Sequence, residues 1–284
     1  MRQASTNPAR GLGFNLVELL VVMALIAILA ALLLPAGPKA KARAMAANCL
    51  GNTRQLQVAW LLYASDNNDS LVGNPGLVPD PYTWIDHGWV DLDDGYANYM
   101  GNNGGCTNEL TLSQGALWSY VLSEGVFRCP DQHQVYASDW NGTVTNLEPA
   151  RSYSVSMRMN SGWPGAYARL SQVLNPDPSM AFVFIDENLF TISDGRFFVN
   201  TQAVNLWGTS VPMEWADVPA ARHGGTGTLS FADGHSELHL WVEPSTPLLN
   251  GAMWTAPQVP GVNGGPNQDI WWLQARYASA AAGP

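Results

Sequence analysis

Three groups of side chains in this 284-residue chain are of types that do chemistry. His223, Asp233 and His235 combine two imidazoles with a carboxylate, a set suited to acid–base work or to holding a metal. His235, Glu237 and His239 alternate, so on a strand all three project from one face, where a transition metal could be chelated. Asp91, Asp93, Asp94 and Gly95 open like a calcium loop, but the twelfth position is Asn102, where an EF-hand requires a bidentate Glu. An EF-hand is excluded, and Ca²⁺ is left with only weak ligand sets, Asp91, Asp93 and Asp94 or the run from Asp66 to Asp69. Each histidine group also has a plainer explanation. Asp233-Gly234 is a hairpin turn, His223 caps the Gly-Gly-Thr-Gly loop behind it, and alternating polar residues are the wet face of a strand. There is no G-x-S-x-G and no H-E-x-x-H, and Gly224-Gly225-Thr226-Gly227-Thr228 lacks the lysine of a phosphate loop. The chain reads as a non-enzyme without a resident cofactor.

Cys49, Cys106 and Cys129 are an odd number with no C-x-x-C pair, which argues against a zinc ribbon or a thioredoxin-type motif and disfavours zinc. Three disulfide pairings are open, and so are three free buried thiols. Cys106 with Cys129 is the preferred pair, since both lie in the globular part, and such a loop contributes roughly 3 kcal/mol by chain entropy. Beyond Arg43 the chain carries eight arginines, no lysine and 22 acids, so nucleic acid and anionic lipid are poor partners for that part. The 12 tryptophans and 27 glycines indicate a loop-rich, aromatic body in which most rings are core and loop anchors.

The elements that must carry these residues begin with a 23-residue stretch, Phe14 to Ala36, whose only polar side chains are Asn15 and Glu18. As a helix it rises about 34 Å and spans a bilayer. A carboxylate inside such a span costs roughly 2–4 kcal/mol on insertion scales, which marks Glu18 as functional. Basic residues flank the stretch on both sides, so charge alone leaves its orientation open. Pro35 and Pro38 predict a kink or short unwinding across 35–38. Past them, Met45, Cys49, Leu56, Trp60 and Tyr63 fall on one helical face, so residues 14 to about 65 read as one long bent helix ending at Asp66-Asn67-Asn68-Asp69.

Gly13-Phe14-Asn15-Leu16-Val17-Glu18-Leu19-Leu20 resembles the class III signal of type IV pilins and type II secretion pseudopilins. The resemblance implies cleavage between Gly13 and Phe14 by a prepilin peptidase, N-methylation of Phe14, and a Glu18 that pairs with the freed ammonium of a neighbouring subunit. It makes Pro35 the helix-bending proline, while Asn15 departs from the usual Thr or Ser. His223, nine residues, then Asp233-Gly234 is similar to the H-x9-D-G pattern of a large bacterial group of pilin-like proteins with a DUF1559-type body. Its recurring segments are matched in order by "AANCLGNTRQLQVAWLLYASDNND", "VFRCPD", "RSYSVSM" and "VFIDE". The implied protein is a structural subunit of a pilus or secretion pseudopilus. It sits in the bacterial inner membrane by a single pass with its body extracytoplasmic, and its partners are the peptidase, like subunits and other pilins. The reading from a different class is a membrane-tethered module that binds a polysaccharide or protein without polymerising. An anchored hydrolase using the histidine face is a weaker third.

The expected fold is α+β: a long N-terminal helix, its first half transmembrane, packed on an antiparallel β-sheet with extensive loops. The parts are a leader over 1–13, the membrane half of the helix over 14–36, its amphipathic continuation over 37–65 and a body over 66–284 whose last stretch, 243–284, is an irregular wrap. Strands are expected in "RSYSVSMRM", "MAFVFID" and "GRFFVN", and a short helix at "DIWWLQARYA". In "GTLSFADGHSELHLW" a two-residue Asp233-Gly234 turn would pair Leu229 with Leu238 and Thr228 with His239. Leu229, Phe231, Leu238 and Leu240 then form the core face, and Thr228, Ser230, His235, Glu237 and His239 the wet face.

Overall fold

A computed structural model describes residues 15–33, 36–74, 109–133, 148–163, 165–189, 191–192, 195–199, 215, 217–248 and 267–277. The chain forms two units, Met1–Arg43 and Ala44–Pro284.

In the first unit the apolar stretch is helix α1, Leu16–Leu33. Its start is set by a reciprocal cap: Asn15 Oδ1 accepts from Val17 N–H at 3.4 Å, and Glu18 Oε2 accepts from Asn15 N–H at 2.9 Å. The expected bent helix is described in two stretches on either side of residues 34 and 35: α1, Leu16–Leu33, and α2, Ala36–Asp66. Pro35 lies outside the described residues. Pro38, the other residue of the expected kink, falls in the first turn of α2 as described, where a missing N–H costs no helical bond. Leu16, Val17, Leu20, Met23, Ile26 and Leu29 are all exposed, so α1 is apolar on every face and buries none of them. Among the described residues no helix is long and apolar enough to cross a membrane. The 18 described residues of α1 rise about 27 Å, against a hydrocarbon core of about 30 Å.

In the second unit, α2 from Ala44 onward buries Ala46, Cys49, Thr53, Leu56, Trp60 and Ala64, the three-and-four spacing of one helical face. That face covers one side of a five-stranded sheet of β1 (Tyr153–Ser156), β2 (Phe182–Asp186), β3 (Arg196–Phe197), β4 (Thr226–Phe231) and β5 (Ser236–Leu240). The order is β3-β1-β2-β4-β5. β3 runs parallel to β1 and every other pair is antiparallel, so the sheet is mixed where a purely antiparallel one was expected. Helix α3, Gln268–Gln274, covers the other side, where Phe182, Ile185, Leu229 and Phe231 meet Trp241, Ile270 and Leu273. The central strands are thus buried on both faces, which is why β2 reads as an unbroken apolar run.

The β4–β5 hairpin corrects the expected register by one residue. Ser230 pairs with Ser236, Leu229 with Glu237 and Thr228 with Leu238. The loop has three residues, Ala232-Asp233-Gly234, closed by Phe231 N–H to His235 C=O at 3.0 Å, with Gly234 left-handed at φ +101°. A one-residue slip turns every β5 side chain over. Leu238 and Leu240 are therefore exposed, while Thr228 and Ser230 are fully buried against α2. There Thr53 Oγ1 donates to Thr228 Oγ1 at 3.0 Å, and Ser230 Oγ donates to Gln57 Oε1 at 2.8 Å.

Candidate functional site

The polar residues on the sheet-facing side of α2 lead to a buried cluster. Cys49, on α2, has its Sγ 3.0 Å from Tyr153 Oη on β1, 3.5 Å from Thr228 Oγ1 on β4 and 3.7 Å from Asp186 Oδ2 at the end of β2. Cys129 leaves the 3₁₀ turn Glu124–Phe127 and is tied to the start of β1, its N–H donating to Ser152 Oγ at 2.7 Å. His223 sits in the turn Arg222–Gly225 that feeds β4, with a left-handed backbone at φ +54°. That turn aims the imidazole inward, where its side chain is fully buried. Its Nε2 lies 3.2 Å from Cys129 Sγ and its Nδ1 3.0 Å from Asp131 Oδ2. The adjoining Arg222 is paired with Asp186 and also reaches Gln132 in the Cys129 loop and the Glu187 carbonyl.

The charges are coupled. Burial pushes Asp186 up to about 7, with Arg222 opposing and Cys49 adding to the rise. Burial also penalises a Cys49 thiolate, but hydrogen bonds from Cys129, His223, Thr228 and Tyr153 outweigh it and hold Cys49 low. The bond to Cys49, and then burial, hold Cys129 far above the usual thiol range. His223 is raised: burial lowers it, and the Cys49 bond and the negative charges of Cys49, Asp131 and Asp186 win.

Cys129, His223 and Asp131 line up in the order nucleophile, base and orienting carboxylate. Neither sulfur has any exposed surface, so a substrate has no approach to the line as it stands. Among the described residues, Cys49, Cys129 and His223 are the one group of such side chains whose ligand atoms, all within 4.8 Å of one another, could hold an ion. The sequence argument against zinc rested on the lack of closely spaced cysteines, and here the fold supplies the proximity instead.

The other singled-out residues are placed as follows. Gly13, Phe14, Cys106, Asp91, Asp93 and Asp94 lie outside the described residues, and Cys129 is a free thiol. Asp66 accepts from Tyr120 Oη at 3.2 Å and Asp69 from Ser171 N–H at 3.2 Å, so both carboxylates serve the turn after α2. His223 and Asp233-Gly234 are not brought together: the nine-residue spacing is the length of β4 plus its turns, with the histidine at one end and the hairpin at the other. Asp233 Oδ1 accepts from His235 N–H at 3.1 Å, His235 stacks on Phe231, and His239 stacks on Trp272. Sequence reasoning missed Cys49, Asp131, Asp186 and Arg222 as members of one site. Their only signal is a polar or thiol residue in each of several otherwise apolar or turn segments, and nothing in the spacing joins them. The chain matches no family model, no curated protein and no solved structure.

Proposed function

We propose that the chain is a pilin-like structural subunit. It is held in the inner membrane by its N-terminal apolar helix, cut between Gly13 and Phe14 by a prepilin peptidase, and assembled with like subunits into a type IV pilus or secretion pseudopilus. The carrying observation is the octet Gly13 to Leu20, in which a lone carboxylate, Glu18, opens a long apolar stretch. Support comes from α1, which is apolar on all sides and exposes its large side chains from Leu16 to Leu29, as suits a helix meant for lipid or for other helices. The cap from Glu18 to Asn15 N–H occupies one carboxylate oxygen and leaves the other to meet a neighbour's N-terminal ammonium. Mass spectrometry of the mature N-terminus tests the reading: N-methyl-Phe14 is expected, and an intact Met1 or a cut beyond Ala36 would refute it. Glu18→Ala should abolish or strongly reduce recovery of the protein in sheared surface filaments while leaving its abundance in the membrane unchanged.

A second reading, a membrane-tethered binding module, draws on the outer surface of α3. Trp271 is 61% exposed there, beside Trp272, Gln268 and Gln274 along an open groove, an arrangement suited to stacking on a sugar ring. A tethered binder stays in the membrane fraction when filaments are sheared off, which separates the two.

A further inference from the structure

We propose that Cys49 Sγ, Cys129 Sγ and His223 Nε2 bind one zinc ion in a closed structural site. This inference is independent of whether the chain polymerises.

The geometry fits first. Zinc bound tetrahedrally with Zn–S near 2.3 Å and Zn–N near 2.0–2.1 Å sets its ligand atoms about 3.5–3.8 Å apart. The three ligand atoms already lie within 4.8 Å of one another, with Cys129 Sγ 3.2 Å from His223 Nε2. Small side-chain rotations are enough to open or close that triangle around an ion. Asp186 Oδ2, 3.7 Å from Cys49 Sγ, is the oxygen we assign to the fourth position.

An outer shell is also in place. Asp131 Oδ2 lies 3.0 Å from His223 Nδ1, within ion-pair reach though outside hydrogen-bond geometry, and a small rotation would let it hold the proton there and leave Nε2 to face the metal. A carboxylate behind a histidine is the usual way a ligating imidazole is oriented and made more basic. Arg222, paired with Asp186, orients the carboxylate.

Charge is the third argument. Two thiols, an imidazole and a carboxylate are gathered where Cys49, Cys129 and Asp186 have no exposed surface. Hydrophobic side chains would fill such a space at no electrostatic cost, whereas buried ionisable groups must be compensated. A dication compensates the set: two thiolates neutralise it, and Asp186 stays neutralised by Arg222. Binding takes both sulfurs as thiolates and releases any proton they hold. Soft sulfur donors with one imidazole select zinc over magnesium or calcium.

The test uses the full chain in detergent micelles, stripped of metal under reducing conditions and reloaded with Zn²⁺ or Co²⁺. One zinc per chain should survive gel filtration, and the Co²⁺ form should show a thiolate-to-cobalt charge-transfer band with the d–d pattern of a tetrahedral ion. Cys49→Ser and Cys129→Ser should each weaken that band. Asp131→Asn should keep the band and lower affinity about 10–100-fold, the effect of losing an outer-shell partner. Should either cysteine variant fail to fold, the wild-type stoichiometry and the Asp131→Asn titration decide alone. Substoichiometric zinc in the reloaded wild-type chain overturns the proposal, as does a cobalt spectrum without thiolate character. A Cys49–Cys129 disulfide as the resting state of the freshly isolated, metal-free protein also overturns it, and would assign the pair to a covalent staple instead.

Discussion

At Gly227, on β4, the absence of a side chain is dictated by a neighbour. A Cβ there would stand 2.7 Å from the Ala220 carbonyl and 3.0 Å from Trp241 Nε1, the two groups that bond to each other at 2.9 Å. Gly227→Ala should therefore destabilise the body by about 1–3 kcal/mol, the usual cost of overpacking, seen as a lower urea midpoint with an unchanged slope. His239 makes a different prediction. Burial among the rings lowers it to about 4, with Asp269 opposing and Arg276 adding to the fall. The unfolded chain takes up a proton near pH 6.5 that the folded one refuses, so this contribution is complete above about pH 6.5 and is lost as pH falls toward 4. Because the ring is partly exposed, solvent screening reduces the effect to about 1 kcal/mol. His239→Phe, which keeps the stack on Trp272, should flatten that part of the stability–pH curve relative to wild type, as measured by denaturation at pH 4.5 and 7.

The chain beyond β5 is held to α3 by two carboxylates, Glu243, which accepts from Gln268 N–H at 2.9 Å, and Asp269. Asp269 accepts from Val242 N–H at 2.9 Å, Glu243 N–H at 3.1 Å and Thr246 Oγ1 at 2.7 Å, all at the N-terminal end of the helix, where a negative charge is favoured. The helix is also capped by Asn267, whose Oδ1 accepts from Asp269 and Ile270 N–H at 3.0 Å each. Asp269→Ala should cost about 2–3 kcal/mol and loosen α3 first, read as faster amide exchange at Ile270 to Leu273 before global unfolding. The described parts of the expected wrap are thus fastened to the short helix expected at "DIWWLQARYA". The hairpin shows how much was legible at this scale. The strands and the turn were readable from alternation and from Asp233-Gly234, but a loop of two or three residues decides which face each β5 residue takes. That choice is made by packing: β4 is covered on both sides, so Thr228 and Ser230 can be buried once Thr53 and Gln57 stand opposite them.

For the molecule as a whole, the zinc proposal carries a stability consequence. The ligands come from α2, the loop after the 3₁₀ turn and the turn before β4, segments far apart in the chain that an ion would fasten together. Chelation under reducing conditions should lower the Tm of the body and added Zn²⁺ restore it, with a gain of about 2.7 kcal/mol at a free ion concentration 100 times Kd. The sequence by itself determined the apolar N-terminal helix with its single carboxylate, the mixed α and β content and the position of each long element. Those follow from periodicity, which is local and printed along the chain. Only the tertiary structure decided the parallel placement of β3, the hairpin register and the meeting of Cys49, Cys129 and His223. Each of these depends on which distant segments share a face, and a chain carries no spacing rule for residues that a sheet brings together from three separate elements.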